Sequence, residues 1–436
     1  MTLPRYPRYK DSGVEWLGEV PGHWEVRQVR QIASIVNGYP FDSALFDPTD
    51  GLPLVRIRDL DKSVAETFYK GDIVDKAVVT SADVLVGMDG DFNVGRWRGE
   101  GMALLNQRMC CVRGKSNVLT RLLEYALPVR LKAINDITYA TTVKHLASSQ
   151  VEKLFVSMPP DEKEQAQIAN FLDRETAKID ELVAEQRRLM ALLKEKRQAV
   201  ISHAVTRGLN PDAPLKPSGI EWLGDVPAHW LVTPLGILAD QIQTGPFGSQ
   251  LHSCDYIDDG TPVINPSNIQ GGKLIADSSC TVDLKIVERL SQHKLELGDI
   301  VFGRRGEMGR CAMVTEESIG WLCGTGSLNV RLSSKITPSF VSIYLGTNYV
   351  RELLQLESVG STMDNLNTQI LSGIPVPTPP LKEQQQISQY LAIQTDRFDT
   401  LTSEAQRAID LLQERRTALI SAAVTGQIDV RGAVAS

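Results

Sequence analysis

The chain repeats one stretch of its sequence almost unchanged: SGVEWLGEVPGHW at residues 12–24 returns as SGIEWLGDVPAHW at residues 218–230. The copies differ only by mild exchanges at residues 14, 19 and 22. The second copy begins 206 residues after the first, a period far longer than that of solenoid repeats. A whole module of the chain has therefore been duplicated.

A second matched pair closes each module. EQAQI at residues 164–168 and EQQQI at residues 383–387 open two similar segments, which end at Val205-Thr206 and Val424-Thr425. This pair is offset by 219 residues, so the second module is longer by 13. The interiors between the matched ends share only scattered positions. Similar ends indicate docking to equivalent surfaces, and dissimilar interiors indicate two different recognition tasks; drift after duplication is the alternative.

The closing segment of each module has the apolar spacing of a coiled coil, in steps of four and three residues. Pro-Pro pairs at 159–160 and 379–380, with Gly208 and Gly426 beyond the other ends, predict the helix boundaries. Because a globular domain separates the segments, we expect an antiparallel pair that acts as a spacer, each helix about 40 residues and roughly 60 Å long. The predicted seam has polar positions at Glu175, Gln186, Lys196, Gln394 and Arg415 and apolar positions at Ile168, Leu172, Ile179, Leu182, Leu189, Leu193, Val200, Ile387, Leu391, Phe398, Leu401, Ala405, Ala408, Leu412 and Leu419.

Short apolar runs between turn residues characterise residues 25–155 and 231–375, which predicts strands. The runs lie at 52–57, 77–80, 84–86, 262–264, 299–302 and 328–332. Helices are predicted at Thr120–Ile134 and Pro338–Leu356. The fold class is therefore α+β: two mixed α/β domains separated by a pair of long antiparallel coiled-coil helices, in a pseudo-twofold tandem repeat.

Composition and missing motifs narrow the function. The net charge of −7 argues against a protein that coats nucleic acid, although arginine clusters still permit a basic face. With neither a signal peptide nor an apolar run of membrane-spanning length, we expect a cytoplasmic protein without a membrane partner. The six cysteines form no C-x-x-C pair, and residues 90–95 resemble a phosphate loop only until Arg96-Trp97. We expect no catalytic residue, no metal and no cofactor in this chain.

The three repeated motifs together resemble the specificity subunit of Type I restriction-modification systems. These are G-V/I-E-W-L-G-x-V-P-x-H-W at each domain start, P-P-(x)-x-K-E-Q at each helix start and A-V-T-(x)-G at each helix end. The resemblance implies target-recognition domains at residues 1–158 and 209–378, and conserved helical regions at residues 159–208 and 379–436. Each recognition domain would read one half of a bipartite, asymmetric double-stranded DNA target.

The same resemblance implies the partners and their cofactors. Two modification (methyltransferase) subunits would hold S-adenosylmethionine, and two restriction (translocase and nuclease) subunits would use ATP and magnesium. This chain would position them without catalysing a reaction. Two alternatives stay open: a protein-interaction scaffold with a coiled-coil spacer, and an unrecognised enzyme such as a fused methyltransferase.

Candidate DNA contacts are polar residues in loops at corresponding places of the two domains, because such side chains read base edges in the major groove. Gly38, Phe41, Gly245 and Phe247 are expected to shape turns and pack. Trp16, Trp24, Trp222 and Trp230 are expected in the domain cores, with docking to partners as the alternative. The candidate contacts are Tyr39, Ser43, Arg56, Arg58, Asn93, Arg96, Gln107, Arg108, Thr142 and Lys144 in the first domain, and Thr244, Ser249, Asn265, Ser267, Arg304, Arg305, Arg310, Ser327, Thr362 and Asn365 in the second.

Overall fold

The computed structural model describes residues 3–137, 144–248, 250–306, 309–358 and 366–433. The chain divides into two compact units, the first comprising Met1–Gln186 with Arg407–Ser436 and the second comprising Arg187–Gln406. Each unit contains one globular domain and a stretch of each long helix. Among the residues described, no helix is both long enough and apolar enough to cross a membrane.

Both units contain helices and strands, in agreement with the predicted α+β class. In the described ranges the helices are α1 (Val29–Ile32), α2 (Asn117–Ile137), α3 (Ser148–Glu152), α4 (Glu162–Arg207), α5 (Leu235–Leu238), α6 (Leu284–Arg289), α7 (Pro338–Leu345), α8 (Asn348–Ser358), α9 (Thr368–Gly373) and α10 (Leu381–Val424). The strands of the first unit are β1 (Tyr9–Asp11), β2 (Glu19–Pro21), β3 (Glu25–Gln28), β4 (Ala33–Asn37), β5 (Phe46–Asp47), β6 (Leu52–Val55), β7 (Phe68–Tyr69), β8 (Val78–Val79), β9 (Val84–Gly87), β10 (Val94–Gly95), β11 (Ala103–Leu105), β12 (Met109–Gly114) and β13 (Phe155–Met158). Those of the second are β14 (Leu215–Pro217), β15 (Asp225–Pro227), β16 (Leu231–Pro234), β17 (Ala239–Thr244), β18 (Tyr256–Ile257), β19 (Thr261–Ile264), β20 (Ile269–Gln270), β21 (Lys273–Leu274), β22 (Thr281–Val282), β23 (Ile300–Gly303), β24 (Cys311–Met313), β25 (Leu322–Cys323), β26 (Ser327–Leu332) and β27 (Pro375–Thr378).

The predicted helix at 120–134 is confirmed as the longer α2, whereas the single helix predicted over 338–356 is wrong. That region forms α7 and α8. The Gly346 N–H bonds the carbonyl of Ser342 at 3.1 Å, and the Thr347 hydroxyl bonds the carbonyl of Tyr344 at 2.7 Å. These bonds close α7, because they satisfy its last carbonyls before α8 begins.

The long helices α4 and α10 have the predicted boundaries. Each begins shortly after its Pro-Pro pair, and each is followed by a glycine in the left-handed conformation, Gly208 at φ 76° and Gly426 at φ 73°. Glycine adopts this conformation without a steric penalty, so it terminates helices readily. The spacing of proline and glycine therefore located both helices correctly.

The two long helices pair antiparallel within each unit. In the first unit Ile168 of α4 shares a core with Val424 of α10, and further along α4 Asp180 pairs with Arg416 at 2.9 Å. In the second unit Ala204 shares a core with Ile387 and Leu391, and Arg197 lies 3.5 Å from Asp399. In both units the contacting residues of α10 have lower numbers as the residue numbers along α4 increase, which is the antiparallel arrangement.

The predicted seam is wrong at three leucines. Leu182, Leu189 and Leu401 are 50%, 43% and 46% exposed, and the buried positions beside them are shifted by one residue. The shifted set consists of Thr176, Val183, Met190, Arg197, Thr402, Ile409 and Arg416, each buried or half-buried. Adjacent apolar residues, such as Leu182 beside Val183, fit a heptad equally well, and only packing against the second helix decides between them.

The predicted seam positions shared by both registers lie inside. Ile168, Leu172, Ile179, Ile387, Leu391 and Phe398 are buried, while Leu193, Val200, Leu412 and Leu419 are half-buried. One of the two rows of the predicted seam therefore lies where the pattern put it, and the other row is rotated outwards by one residue.

Each globular domain combines two sheets that meet at one strand end. In the first unit β12 lies between β4 and β9, antiparallel to both, and the second sheet has the order β5-β7-β6-β11-β8 with β6 and β11 parallel. In the second unit β26 lies between β17 and β23, and β19 and β25 are parallel. The predicted strand over 52–57 ends earlier, at Val55, because the Asp59 carboxylate bonds the Arg56 N–H and starts a 3-10 turn.

Both units pair a buried aspartate at the start of a central strand with a partly exposed arginine. The Arg113 guanidinium donates to the Asp83 carboxylate from Nε at 2.7 Å and from Nη2 at 3.1 Å. In the second unit Arg331 donates to Asp299 at 2.9 and 2.8 Å. Burial raises the pKa of Asp83, but the hydrogen bonds from Arg113 and Thr80 outweigh burial and hold this pKa below its usual value of 3.8.

The ion pair of Asp83 with Arg113 predicts that the free energy of unfolding decreases at acidic pH. A carboxyl with a lowered pKa in the folded state stabilises fully above its unfolded pKa of about 3.9, and this stabilisation is lost as the pH falls through the lowered folded value. We expect Asp83→Asn to reduce the free energy of unfolding by roughly 1.5 kcal/mol at pH 7. Urea unfolding at pH 7, 4 and 3 checks this: the gap between wild type and variant should shrink below about pH 4. The exposed Asp72→Asn variant is the control, and a gap independent of pH would contradict the assignment.

In each module the repeated motif at the start of the domain is hydrogen-bonded to a glutamate at the start of the long helix. In the first unit the buried Glu164 carboxylate accepts from Tyr6 Oη at 2.9 Å, His23 Nε2 at 2.9 Å and Trp24 Nε1 at 3.1 Å. Burial, followed by the charge of Glu164, raises the pKa of Tyr6 well above its usual value. Trp24 and Trp230 are buried, and Trp16 and Trp222 are half-buried, Trp16 under the Arg130 guanidinium and Trp222 stacked beside Tyr349. Trp24 and Trp230 therefore belong to the domain cores, as expected, whereas Trp16 and Trp222 are only partly covered by their own units.

Candidate nucleic-acid interface

The first unit gathers polar side chains where its two sheets meet. The register of β12 with β4 and β9 brings Asn37, Met109 and Gly87 to the same end of one sheet. The other sheet joins there, because the Asn106 N–H bonds the carbonyl of Val55 at 3.1 Å. We call this region the first sheet end and define it by Tyr39, Arg56, Asp89, Gln107 and Arg108.

A tight turn at residues 106–109 projects two of these side chains. The Met109 N–H bonds the carbonyl of Asn106 at 3.0 Å, and the Asn106 side chain accepts the Arg108 N–H at 3.1 Å. Gln107 and Arg108 occupy the tip and are exposed. Asparagine at the first position of such a turn stabilises it through this side-chain bond.

Gly38 is required where β4 enters this region. A Cβ at Gly38 would lie 1.9 Å from the carbonyl oxygen of Asn106. In the second unit a Cβ at Gly245 would lie 1.8 Å from the carbonyl oxygen of Gly324. The close approach is the same in both units, since the backbone of one strand end touches the backbone of the adjoining turn.

The second unit builds the corresponding region with other side chains. The Ser327 N–H bonds the carbonyl of Gly324 at 3.0 Å, which forms the equivalent turn with Thr325 and Gly326 at its tip. The Gly324 N–H bonds the carbonyl of Ile264 at 2.9 Å and joins the two sheets. We call this region the second sheet end and define it by Phe247, Asn265, Ser267, Arg305 and Thr325.

Backbone hydrogen bonds align the two sheet ends residue by residue. The Met88 N–H bonds the carbonyl of Arg108 at 2.9 Å, as the Arg304 N–H bonds that of Gly326 at 2.9 Å. The Met88 carbonyl accepts from Leu146, as the Arg304 carbonyl accepts from Leu366. The next residue is Asp89 in the first unit and Arg305 in the second, so the side-chain charge is opposite at one backbone position.

Most of the predicted contacts in the first unit lie at or near its sheet end. Tyr39 is 45% exposed and stacks edge-on against Phe41, with ring centroids 5.2 Å apart. Half-buried Arg56 lies over the Phe46 ring at 4.9 Å, and exposed Arg58 lies 3.3 Å from Glu66. The remaining members are exposed Ser43 beside the Asp42 turn, exposed Asn93 in the β9–β10 hairpin, half-buried Lys144 next to the Asp89 and His145 bridge, and the tip residues Gln107 and Arg108.

The predicted contacts in the second unit fall into three groups: residues at or near its sheet end, residues bonded within the fold, and residues outside the described ranges. Exposed Ser267 and half-buried Asn265 follow the end of β19, exposed Arg305 follows β23, and half-buried Thr244 ends β17. Two arginines are engaged in the fold: Arg304 Nε donates to the Leu366 carbonyl at 3.2 Å and Arg310 Nη1 to the Pro266 carbonyl at 3.2 Å. Burial, followed by the nearby Arg305, lowers the pKa of Arg304. Thr142, Ser249, Thr362 and Asn365 lie outside the described residues.

Two predicted DNA contacts belong to the interior instead. Arg96 is 9% exposed and donates from Nε to Glu124 at 2.6 Å, so its charge is neutralised inside the first unit. Ser327 is fully buried, and its hydroxyl donates to the Ile264 carbonyl at 2.8 Å. Their loop-like sequence surroundings suggested exposure, but both side chains connect separate parts of the fold.

One expected packing residue is also corrected. Phe41 is 6% exposed and packs against Tyr69, as expected, but Phe247 is 64% exposed. The alignment of Gly38 with Gly245 shows the reason, because Phe41 lies three residues after its glycine and Phe247 only two. The two aromatic residues therefore occupy different positions of the turn.

Asp89, His145 and Thr325 were missed by the sequence reasoning. Asp89 and Thr325 both lie just beyond buried strands, at places where polar side chains reach solvent. Their position directly after apolar runs was an available signal, although the pairing of His145 with Asp89 at 2.7 Å depends on the tertiary fold.

The chemistry of both sheet ends is that of hydrogen-bonding and cationic side chains. Among the residues described, no group of three or more His, Cys, Asp or Glu side chains is arranged to hold a metal ion. Burial raises the pKa of the Cys110, Cys111, Cys311 and Cys323 thiols to about 12, so these thiols stay protonated at neutral pH. Guanidinium, amide and hydroxyl groups of this kind can read base edges or contact phosphates.

Comparison with known proteins assigns the fold and the family. A family model described as the Type I restriction modification DNA specificity domain matches residues 21–188 and again 241–410. The Type I restriction enzyme EcoBI specificity subunit of Escherichia coli is 29% identical over 425 residues, covering 96% of this chain and 89% of that protein. The MjaVIII specificity subunit of Methanocaldococcus jannaschii is 23% identical over 422 residues, covering 94% of each.

Solved structures show the same fold. A chain from a study of complex assembly and conformational transition of the type I R-M system has a TM-score of 0.69 at 16% identity, covering 94% of this chain and 99% of that one. The HsdS subunit from Thermoanaerobacter tengcongensis has a TM-score of 0.52 at 16% identity, covering 94% and 98%. The two matches of the family model together span most of the sequence, and the chain therefore belongs to the family of Type I restriction-modification DNA specificity proteins.

Proposed function

We propose that the chain reads a bipartite, asymmetric DNA target, with the first sheet end on one half-site and the second sheet end on the other. The observation that carries this proposal is a shared backbone with different side chains. Asp89 aligns with Arg305, Arg108 aligns with Gly326, and the hydrogen bonds around them correspond. Base sequence is read by side-chain donors and acceptors, so a change of side chains on one backbone changes the bases that are preferred.

The charge distribution is compatible with this role. The net charge of −7 disfavours unspecific coating of DNA, whereas each sheet end carries an exposed arginine, Arg108 in the first and Arg305 in the second. Local positive charge is sufficient to approach the phosphate backbone, and directional side chains then select the sequence.

In this proposal the chain is the non-catalytic targeting subunit of a larger complex. The relatives named above are specificity subunits of Type I restriction enzymes, which supports assembly with other subunits of such an enzyme. In this proposal those partners are two modification subunits and two restriction subunits. S-adenosylmethionine would be held by the modification subunits, and ATP with magnesium by the restriction subunits. The proposed target is double-stranded DNA, so we expect the chain to act in the cytoplasm.

Sequence preference of the complex tests the function. The full chain with its modification subunit should prefer one bipartite duplex over random duplexes in a competition assay, and methylome sequencing of a host carrying both should give that target. Absence of any preference would contradict DNA reading and favour the scaffold alternative. Methyl transfer by the chain alone, without a modification subunit, would instead establish an enzyme.

Domain exchange tests the division of labour. Replacing residues 25–155 with the equivalent region of another family member should change one half of the methylated target and leave the other half unaltered. The reciprocal exchange of residues 231–375 is the matched control and should change the opposite half. Simultaneous loss of both halves in well-folded exchange proteins would contradict separate reading by the two domains.

A further inference from the structure

Asp89 is an acidic side chain in a region otherwise suited to contact DNA. It lies two residues after the buried end of β9, and its side chain is 30% exposed. Its carboxylate lies 3.3 Å from Arg108 Nη1 through Oδ2 and 2.7 Å from His145 Nδ1 through Oδ1. Because DNA phosphates repel carboxylates, an acid here needs a role that its two partners explain.

Arg108 is held at its backbone and extended at its side chain. Its N–H bonds the Asn106 side chain at 3.1 Å, and its carbonyl accepts the Met88 N–H at 2.9 Å. The side chain is 61% exposed, and its Nη1 lies 3.3 Å from the Asp89 carboxylate. A guanidinium has five N–H donors in a rigid plane, so one ion pair orients this plane and leaves another edge for a ligand.

We propose, on the basis of the function above, that Arg108 reads a guanine in the first half-site and that Asp89 is its positioning residue. Guanine presents two adjacent acceptors, O6 and N7, in the major groove, and the parallel donors of one guanidinium edge match them. Asp89 fixes the orientation of that edge, while His145 fixes Asp89 from the other side. Restricting a flexible arginine in this way lowers the ordering cost of binding.

Among the described residues, the second unit places different side chains at the two backbone positions of this ion pair. Arg305 occupies the backbone position of Asp89, and Gly326 occupies that of Arg108. The arginine therefore projects from the neighbouring strand end, and the adjoining turn offers no side chain at the corresponding place. The pairing of Arg108 with Asp89 therefore belongs to the first unit, and its substitution is expected to affect only the half-site that this unit reads.

The test measures base preference position by position in the complex with the modification subunit. Arg108→Ala should lower the preference for guanine at one position of one half-site by roughly 5- to 150-fold and leave the second half-site unaltered. Asp89→Ala should weaken preference at that same base, Asp89→Glu should restore part of it, and Asp89→Ala in an Arg108→Ala background should have no further effect, because positioning requires the positioned group.

The control is a second exposed ion pair at the opposite end of the same domain. Arg27 lies 2.7 Å from Glu25 on β3, and Arg27→Ala should leave every base preference unchanged. Equal weakening on all sequences by Arg108→Ala would overturn the proposal in favour of a phosphate contact. Additive effects of the Asp89 and Arg108 changes, or a wild-type first half-site without guanine, would also overturn it. Lack of preference in the wild-type complex would instead refute the proposed function itself.

Discussion

Replacing Gly38 with alanine is expected to destabilise the first unit by about 3 kcal/mol, the upper end of the usual range for overpacking. The new Cβ would lie 1.9 Å from the Asn106 carbonyl oxygen and 2.8 Å from that of Leu105. Both are backbone atoms that a side-chain rotation cannot move away. We therefore expect the 106–109 turn to shift, and reading of the first half-site to be lost with it.

Two matched alanine variants control this prediction. Gly22→Ala introduces the residue already present at Ala228 in the second module, and its Cβ would meet Arg8 only at an ordinary 3.7 Å, so we expect little change. Gly245→Ala should produce the mirrored defect, loss of the second half-site alone. Thermal unfolding and methylation of half-site variants measure both effects. A Gly38→Ala protein with wild-type stability and full reading would contradict the assigned close approach.

Replacing Glu164 with alanine is expected to lower the free energy of unfolding of the first unit by about 3 kcal/mol or more. The change would remove the acceptor of Tyr6, His23 and Trp24 in a single step. Trp24 is 1% exposed, so its indole N–H would lose its partner where water does not replace it. Hydrogen exchange of residues 3–24 should rise sharply and identify the loosened segment.

Glu383 provides the matched control in the second unit. It occupies the same place in its module and accepts from His229 at 2.8 Å, but its side chain is 25% exposed. Among the described residues, Trp230 Nε1 has no hydrogen-bond partner, so removing Glu383 deprives no buried indole of one. We expect Glu383→Ala to cost about 1 kcal/mol. Equal losses for the two alanine variants would contradict the role given to the Glu164 contacts.

The long helices illustrate how far pattern reading reached. Proline and glycine located both ends of α4 and α10 correctly, because these residues act through local backbone geometry. The seam was half right, because Leu182-Val183 and Leu189-Met190 allow two registers. Only the position of the second helix selects the buried residue of each pair.

The candidate interface shows the same boundary between local and tertiary information. Polar loop residues such as Gln107, Arg108 and Arg305 were found because they interrupt apolar runs and lie in turns. Arg96 and Ser327 have the same kind of sequence surroundings as those residues, yet they are buried. Their partners Glu124 and Ile264 are distant in the chain, so the sequence pattern does not reveal the contacts. Asp89 was missed for the same reason, since its proposed role depends on its contacts with Arg108 and His145.

The sequence by itself determined the duplication, the α+β class, the boundaries of the long helices and the family resemblance. Each of these depends on repetition or on short-range chemistry that is visible along the chain. The tertiary structure decided which row of each heptad is buried, which polar residues are interior and which side chains meet at the two sheet ends. Those outcomes depend on contacts between residues far apart in sequence. These contacts also show that one backbone position carries Asp89 in the first module and Arg305 in the second.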